Sequence, residues 1–283
     1  MEEQKAIGIL DSGVGGLTVV KEVFRQLPRE KVIYFGDTKR CPYGPRSPEE
    51  IKKFTLEIVD FLIEQNVKMI VIACNTATAA ALQEVKQRVN IPVIGVIRPG
   101  SLSAIKHTKT GEIGVIGTEG TIKSGAYEKT LKQISPKLTI TSHACPTLVS
   151  LVENGIEDQK VIREVVKEAL ESIVNQKMDS LILGCTHYPL ISEYIQEVVG
   201  NQVKLLSSAE ETAREVSTIL HHQNLVNQLD EEPQHYFYTT GDIANFKSIA
   251  EKWLVRKIDV TQIDLSKLNK KILLKIDRTF LDK

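Results

Sequence analysis

The chain has 283 residues, enough for two average domains, and its 42% hydrophobic and 25% charged residues are an ordinary globular composition. Lysine plus arginine and aspartate plus glutamate number 36 each, so no net charge attracts nucleic acid or an anionic membrane. No apolar run reaches the length of a membrane span. The first residues, Met1 to Lys5, lack the apolar stretch of a signal peptide, which favours a cytoplasmic protein.

Short β-branched runs alternate along the chain with amphipathic stretches of helical length, a pattern typical of parallel strands joined by crossover helices. The predicted strands are Ala6–Leu10, Val32–Phe35, Met69–Ala73, Pro92–Ile97, Ile113–Ile116, Leu138–Thr141, Ser180–Gly184 and Val203–Leu206. The predicted helices are Leu17–Gln26, Pro48–Gln65, Thr78–Arg88, Thr121–Ile134, Val161–Gln176 and Ile191–Val199. The sequence therefore predicts an α/β fold.

The second four strands repeat the first four at a nearly constant offset. Ile7-Gly8-Ile9-Leu10 matches Ile113-Gly114-Val115-Ile116, and Cys74 matches Cys185. Parallel α/β chains are all somewhat self-similar, so the repeat alone leaves coincidence open. We expect two pseudo-symmetric parallel-sheet domains that face each other across an interdomain cleft, with ligands bound beyond the carboxyl ends of the strands.

The tail after Ser207 contains a predicted helix, a polar linker, and a strand and helix at Tyr236–Asp242 and Ile243–Trp253. We expect this tail to return to the first sheet. The first domain is then predicted to comprise residues 1–97 and about 208–283, and the second domain residues 98–207. The lysine-rich end, Val260–Lys283, is interpreted as a surface appendage without an assigned role.

The four cysteines include no C-x-x-C pair, so free thiols are expected in a reducing cytosol. Cys74 and Cys185 each follow an apolar run and precede polar residues. A thiol at a helix N-terminus has a lowered pKa, and two opposed thiols suit a reaction that removes a proton from one face of a carbon and returns one to the other. Alternatively, each of these cysteines is simply a small apolar residue buried in the core. Cys41 and Cys145, each followed by proline, are predicted to be structural or at most to line the site.

A glycine-rich turn follows the first strand at Asp11-Ser12-Gly13-Val14-Gly15-Gly16. It matches neither the dinucleotide fingerprint nor the P-loop. A substrate carboxylate or amine would fit it, with Asp11 and Ser12 as the exposed polar pair. A plain tight turn in which Asp11 caps the helix is an equally good interpretation.

His187 lies two residues beyond Cys185 and can support that thiol or exchange a proton with a substrate amine. The rival interpretation is zinc bound by Cys185 and His187. We disfavour it because the remaining ligands would have to come from distant single residues.

Three further sets of residues are candidates for weaker reasons. Tyr43 and Gly44 lie in a stiff loop between prolines that could close over a polar ligand. Thr118 and Thr121 could bind a second carboxylate or merely cap a helix. Glu153 is a candidate supporting carboxylate, although an ordinary surface charge is the favoured interpretation.

Taken together, the motifs resemble the glutamate racemases of the aspartate/glutamate racemase superfamily. The matching stretches run from the N-terminus to about Trp253, so nearly the whole chain is covered. They are Ile9-Leu10-Asp11-Ser12-Gly13-Val14-Gly15-Gly16-Leu17, Tyr34-Phe35-Gly36-Asp37-Thr38, Pro42-Tyr43-Gly44, Ala73-Cys74-Asn75-Thr76-Ala77, Gly184-Cys185-Thr186-His187-Tyr188-Pro189 and Thr240-Gly241-Asp242.

The resemblance implies a two-base interconversion of L- and D-glutamate without metal or other cofactor, which supplies D-glutamate for peptidoglycan synthesis, cell-wall biogenesis and cell shape. In the pattern of this family the Cys74 thiol addresses the D-enantiomer with help from Asp11, and the Cys185 thiol addresses the L-enantiomer with help from His187. A homodimer with glutamate as its small-molecule partner is implied. The implied substrate contacts are Asp11, Ser12, Tyr43, Gly44, Asn75, Thr76, Thr118, Thr121, Thr186 and His187.

Three alternatives stay open at this point. The chain could racemise aspartate or a related amino acid, because such enzymes of the superfamily also use paired thiols. A two-lobed cleft would equally suit an amino-acid-binding protein without catalysis. A zinc or redox protein is the third alternative.

Overall fold

The computed structural model describes residues 1–156 and 158–268 and contains two parallel β-sheets. The first sheet comprises β1 (Ile7–Asp11), β2 (Val32–Gly36), β3 (Met69–Ile72), β4 (Val93–Gly95), β9 (Tyr236–Thr239) and β10 (Val260–Gln262), in the order β10-β9-β2-β1-β3-β4. The second sheet comprises β5 (Glu112–Gly117), β6 (Thr139–Ala144), β7 (Ser180–Gly184) and β8 (Lys204–Ser207), in the order β6-β5-β7-β8. The predicted α/β class with two parallel sheets is confirmed.

Helices connect the strands and cover the sheets. They are α1 (Leu17–Gln26), α2 (Pro48–Glu64), α3 (Asn75–Arg88), α4 (Ile97–His107), α5 (Glu119–Lys123), α6 (Ala126–Ile134), α7 (Thr147–Glu153), α8 (Gln159–Leu170), α9 (Ser192–Val199), α10 (Ala209–His222) and α11 (Ile243–Leu254). Short 3₁₀ turns occupy Glu2–Gln4 and Tyr188–Ile191. Throughout residues 1–156 and 158–268, no helix combines the length and apolar character needed to cross a bilayer.

The central strands are buried on both faces because alternate side chains enter different cores. In β1, Ile9 packs with Val19 on the α1 side of the sheet, whereas Leu10 packs with Ile58 on the α2 side. The second sheet repeats the arrangement, since Leu181 and Ile182 of β7 enter different clusters. Strands with two buried faces read as continuous apolar runs, which is why the sequence reveals them.

The internal repeat is visible in the strand order. The order β2-β1-β3-β4 in the first sheet matches β6-β5-β7-β8 in the second. Ile7 pairs with Met69 across β1 and β3, and Ile113, its counterpart, pairs with Ser180 across β5 and β7. Cys74 and Cys185 therefore follow equivalent strands of the two sheets.

Several element boundaries differ from those expected. The predicted strand Pro92–Ile97 is shortened to β4, because α4 begins at Ile97. The predicted helix Thr121–Ile134 is divided at Gly125, whose φ of 63° lies in the left-handed region. Helices α4 and α7 were not expected at all.

The tail returns to the first sheet. Strand β9 pairs in parallel with β2, and β10 pairs with β9 at the edge. Residues 260–262 are thus part of the sheet, so the interpretation of Val260–Lys283 as a surface appendage is wrong there. Residues 269–283 lie outside the described part of the chain. The predicted limits of the two domains, 1–97 with about 208–283 and 98–207, stay a prediction.

Candidate active site

Cys74 lies at the junction between β3 and α3, where it is the N-cap residue of the helix. The amide of Ala77 donates to its Sγ atom over 3.4 Å, and the thiol donates to the Ser12 hydroxyl over 3.6 Å. Burial and the Asp11 carboxylate raise the pKa of this thiol to about 12. The expected lowering by the helix N-terminus is wrong for Cys74, because desolvation outweighs the amide hydrogen bond.

Cys185 occupies the equivalent place after β7. The residues that follow it lead into the 3₁₀ turn at Tyr188–Ile191, so Cys185 does not begin an α-helix. Its Sγ lies 3.5 Å from Nδ1 of His187. The other ring nitrogen, Nε2, lies 2.5 Å from Oε1 of Glu153, the last residue of α7.

The contact between His187 and Glu153 is a buried ion pair. Burial alone would lower the pKa of His187, but its electrostatic interaction and hydrogen bond with Cys185 and its hydrogen bond with Glu153 raise it well above its ordinary value. Burial likewise opposes ionisation of Glu153, yet the hydrogen bond with His187 lowers its pKa overall. The backbone N–H of Val14 also donates to Glu153, over 3.0 Å. An imidazolium therefore stands beside Cys185 with its second nitrogen held by a carboxylate.

Asp11 connects the two sheets through the site. It ends β1, and its side chain accepts hydrogen bonds from the Gly13 amide over 2.9 Å and from the Thr186 hydroxyl over 3.1 Å. Because Thr186 directly follows Cys185 and Asp11 precedes Ser12, this bond joins the surroundings of both thiols. Burial raises the pKa of Asp11 above its ordinary value.

Three buried threonine hydroxyls form a second polar group where α3 meets α5. Thr76 lies 2.8 Å from Thr118 and 3.2 Å from Thr121, measured between Oγ1 atoms, and Thr118 donates to Thr121 over 3.0 Å. Thr118 also caps α5. Gly44 approaches so closely that a Cβ atom there would lie 2.8 Å from Cβ of Thr118. Its carbonyl accepts a hydrogen bond from the Gly120 amide over 3.0 Å.

Asn75 and Tyr43 are also buried, but only Asn75 has a side-chain polar atom without a hydrogen-bond partner among the described residues. The Tyr127 hydroxyl donates to Oδ1 of Asn75 over 2.7 Å, whereas Nδ2 of Asn75 has no partner among the residues that the structure describes. The Tyr43 hydroxyl donates to Asp37 over 2.5 Å, and Arg40 donates to the same carboxylate over 2.6 Å. Tyr43 thus offers its ring, rather than a free hydroxyl, to the cluster that contains Cys74.

Cys41 and Cys145 differ in their surroundings. Cys145 is buried in the core of the second sheet, and its thiol donates to the carbonyl of Ala169 over 3.4 Å. Cys41 is half-buried beside Glu153 and His187.

Glu153 and Asp37 belong to the buried polar network of the site, although little in the sequence points to either residue. The favoured interpretation of Glu153 as a surface charge is wrong, because its carboxylate is mostly buried against His187. Its position depends on α7, whose short apolar stretch Leu148–Val152 shows no clear helical pattern. Asp37 accepts from Tyr43, Arg40 and the Thr240 hydroxyl, and it was visible only as part of the motif at Gly36-Asp37-Thr38.

Comparison with known proteins identifies the family of the chain. The model of the Asp/Glu/hydantoin racemase family matches residues 7–216. The chain belongs to this Asp/Glu/hydantoin racemase family. The suspected family is thereby confirmed, and with it the expectation of an isomerase.

One glutamate racemase sequence and two glutamate racemase crystal structures illustrate how similar the chain is to proteins of this family. It is 54% identical to glutamate racemase of Bacillus cereus over 92% of its own length and 96% of that protein. The crystal structure of a glutamate racemase isoform from Bacillus anthracis has a TM-score of 0.90 at 52% identity, covering 93% of this chain and 98% of that one. The structure from Francisella tularensis, in complex with D-glutamate, has a TM-score of 0.86 at 36% identity, with 94% and 99% covered.

Proposed function

We propose that the chain interconverts L- and D-glutamate by a two-base mechanism in which Cys74 and Cys185 are the acid and base. The observation that carries this proposal is the placement of one thiol after each of two equivalent strands, with Asp11 and Thr186 hydrogen-bonded between them. Glutamate is favoured over aspartate because relatives at more than 50% identity are named glutamate racemases.

Conversion of L- to D-glutamate would begin with Cys185 in its thiolate form. This thiolate, stabilised by the His187 imidazolium, removes the α-proton from one face of the substrate, and the Cys74 thiol donates its own proton to the other face. Afterwards Cys185 carries the abstracted proton and Cys74 is the thiolate. The raised pKa of Cys74 supports this assignment, because it keeps that sulfur protonated before the reaction.

The carbanion that forms between the thiols needs a buried site with hydrogen-bond donors. Nδ2 of Asn75 is a buried donor without a partner in the described ranges, and Asn75 directly follows Cys74 in the sequence. The hydroxyls of Thr76, Thr118 and Thr121 are suited to the second carboxylate. These residues, with Asp11, Ser12, Tyr43, Gly44, Thr186 and His187, are the proposed substrate contacts.

Several expectations about the cellular role belong to the same proposal. The product would be D-glutamate for peptidoglycan, and the protein would act in the cytoplasm as a homodimer without a metal or organic cofactor. If the protein is a homodimer, light scattering should give a mass in solution equal to that of two chains.

Racemisation should require both the Cys74 and the Cys185 thiol. Cys74→Ala and Cys185→Ala should each reduce racemisation by at least about 10²–10⁴-fold, because each removes one proton-transfer group. The measurement is circular dichroism of each glutamate enantiomer in D₂O, with incorporation of α-deuterium followed by NMR. Cys145→Ala, which alters a thiol in the second core, is the control and should retain turnover.

Other outcomes of this experiment would change the conclusion. Near-normal turnover in either Cys74→Ala or Cys185→Ala would contradict the two-thiol mechanism. Turnover of aspartate in preference to glutamate would place the chain with the other racemases of the superfamily. Binding of glutamate without any deuterium at the α-carbon would show a binding protein instead.

A further inference from the structure

Three side chains that commonly bind metals converge beside the candidate active site. The Cys41 sulfur, a Glu153 carboxylate oxygen and a His187 ring nitrogen all lie within 4.8 Å of one another. They come from separate parts of the chain, namely the loop after β2, the end of α7 and the segment after β7. Cys41 has no part in the proton transfers proposed above, so its presence in this group is unexplained by racemisation.

A cavity adjoins two of these three side chains, Cys41 and Glu153. Gly13 packs directly against two of these side chains, since a Cβ atom on it would lie 2.0 Å from Oε1 of Glu153 and 3.2 Å from Sγ of Cys41. A cavity of about 270 Å³ has Cys41 and Glu153 in its wall, together with Thr38 and Asp242. This cavity gives an ion access from solvent and leaves room for a water molecule as a fourth ligand.

We propose that Cys41, Glu153 and His187 form an inhibitory binding site for Zn²⁺. The inhibition rests on the function proposed above, whereas the binding of zinc does not. Zinc binds thiolate, imidazole and carboxylate, and three such protein ligands with one water complete a tetrahedral site. A hard cation such as Mg²⁺ prefers six oxygen ligands and would find one carboxylate here.

Zinc at this position would remove His187 from the reaction. The metal takes the lone pair of Nε2, the atom that now contacts Glu153, and the protons of the imidazolium and the Cys41 thiol pass to solvent. Nδ1 would still face Cys185. Glu153, however, would be bound to the metal and could no longer orient the imidazole or stabilise its positive charge. The imidazole keeps a proton on Nδ1 toward the Cys185 thiolate, but with Nε2 on the metal it can no longer cycle between imidazolium and imidazole as Cys185 loses and gains its proton.

The experiment measures zinc binding separately from activity. Zinc affinity is determined by competition with a chromophoric chelator, and Co²⁺ is used as a probe because a thiolate ligand gives a charge-transfer absorption in the near ultraviolet. The full-length protein should bind one zinc per chain and show this absorption with cobalt. Cys41→Ala should weaken zinc binding by at least about 100-fold and abolish the absorption, since a direct ligand matters at least as much as the partners behind it.

Two further variants separate this site from the thiol pair. Cys145→Ala should bind zinc as the unaltered protein does, and Cys74→Ala should also bind it, although it is expected to be inactive. Loss of zinc binding in Cys74→Ala with retention in Cys41→Ala would place the metal between the two proposed catalytic sulfurs and overturn the proposal. No zinc binding by the unaltered protein would overturn it as well.

The activity measurements form the second arm. Zinc should inhibit racemisation by the unaltered protein, a metal chelator should restore it, and Mg²⁺ should have no effect. Cys41→Ala, compared with its own activity without zinc, should need at least about 100-fold more zinc for the same inhibition. If zinc binds through Cys41 but glutamate is not racemised, the binding site stands and the proposed function fails.

Discussion

The absence of a side chain at Gly15 leaves the space that the side chains of His187 and Thr186 occupy. A Cβ atom on this residue would lie 2.5 Å from Nδ1 of His187 and 2.6 Å from the Thr186 hydroxyl. Both distances are shorter than van der Waals contact, so any larger residue must displace these side chains. The imidazole contacts Cys185 and Glu153 at the same time, and a shift of its ring would alter both contacts.

Gly15→Ala should therefore lower kcat/KM by about 100-fold, since a displacement of about 1 Å in an active site can have that effect. The assay is racemisation of each glutamate enantiomer, with the melting temperature as the test of folding. A loss confined to kcat in a folded variant would fit displacement of His187. Unchanged kinetics would contradict the proposed importance of its position.

Residue identities were easier to predict than residue environments. The pair Cys74 and Cys185 and the polar residues beside them stand out in the sequence, because each ends an apolar run. The direction of the Cys74 pKa could not be predicted, since it depends on complete burial next to Asp11. The position of Glu153 against His187 is likewise a tertiary contact between residues 34 positions apart.

At the scale of the element, helix α11 ends in an unfavourable residue. Val255, its C-cap, has a φ of 52° and is 82% exposed. The left-handed conformation costs an L-residue about 1–2 kcal/mol, and a β-branched residue gains nothing from exposure that would offset this. Glycine is the usual residue at a left-handed helix end.

Val255→Gly should raise the free energy of unfolding by about 0.5–1 kcal/mol, because relief of strain exceeds the added entropy of the unfolded chain. Urea denaturation monitored by circular dichroism measures this difference. Val161→Gly is the control, since Val161 is an exposed valine in the first turn of α8, where glycine should destabilise the helix. Equal effects of the two substitutions would contradict the argument from backbone conformation.

The elements missed by sequence analysis have weak local signals. Helix α4 contains Pro99 and Gly100, which usually punctuate a helix, but both lie in its first turns, where proline is tolerated. Helix α7 has only seven residues, and its Leu148, Val149, Leu151 and Val152 are all buried. Such a short apolar run cannot be distinguished from a strand by periodicity alone.

For the whole molecule, the tail is fastened to the first sheet by buried polar contacts. Lys68 lies 2.5 Å from Glu30 and donates to the carbonyls of Glu3 and Leu225, over 2.7 Å each. His235, just before β9, accepts a hydrogen bond at Nδ1 from the Val32 amide over 3.3 Å. Its ring centroid lies 4.1 Å from that of Phe24.

Folding of this region should depend on pH through His235. Burial and the nearby positive charge of Arg256 lower the pKa of His235 to about 4, against about 6.5 in the unfolded chain. The unfolded state therefore binds the proton more readily, and the contribution to stability is complete above about pH 6.5 and is lost as the pH falls toward 4. After allowance for partial exposure, we expect a loss of about 1–2 kcal/mol.

Urea unfolding between pH 4 and pH 8 measures this dependence. His235→Gln retains an acceptor for the Val32 amide but has no titrating group. The difference in unfolding free energy between the original protein and this variant should diminish by about 1–2 kcal/mol from pH 7 to pH 4. A constant difference across that range would contradict a role for His235 titration.

The global architecture was largely predictable because the apolar strand segments recur in the same order in two parts of the sequence. Two sets of apolar strand runs in the same order indicated two parallel sheets, and the structure has both. The return of β9 to the first sheet was also expected, whereas β10 was not. Its sequence, Val260-Thr261-Gln262, is too short and polar to stand out, and it is a strand only because β9 offers it an edge.

The return of β9 and β10 to the first sheet has a consequence for biosynthesis. All four strands of the second sheet leave the ribosome before β9 does, so the half of the molecule made later can assemble first. Meanwhile β2 has an unpaired edge for a time on the order of tens of seconds, during which it can pair with other chains. A nascent chain of this protein should thus be most prone to aggregation in the interval before β9 emerges from the ribosome.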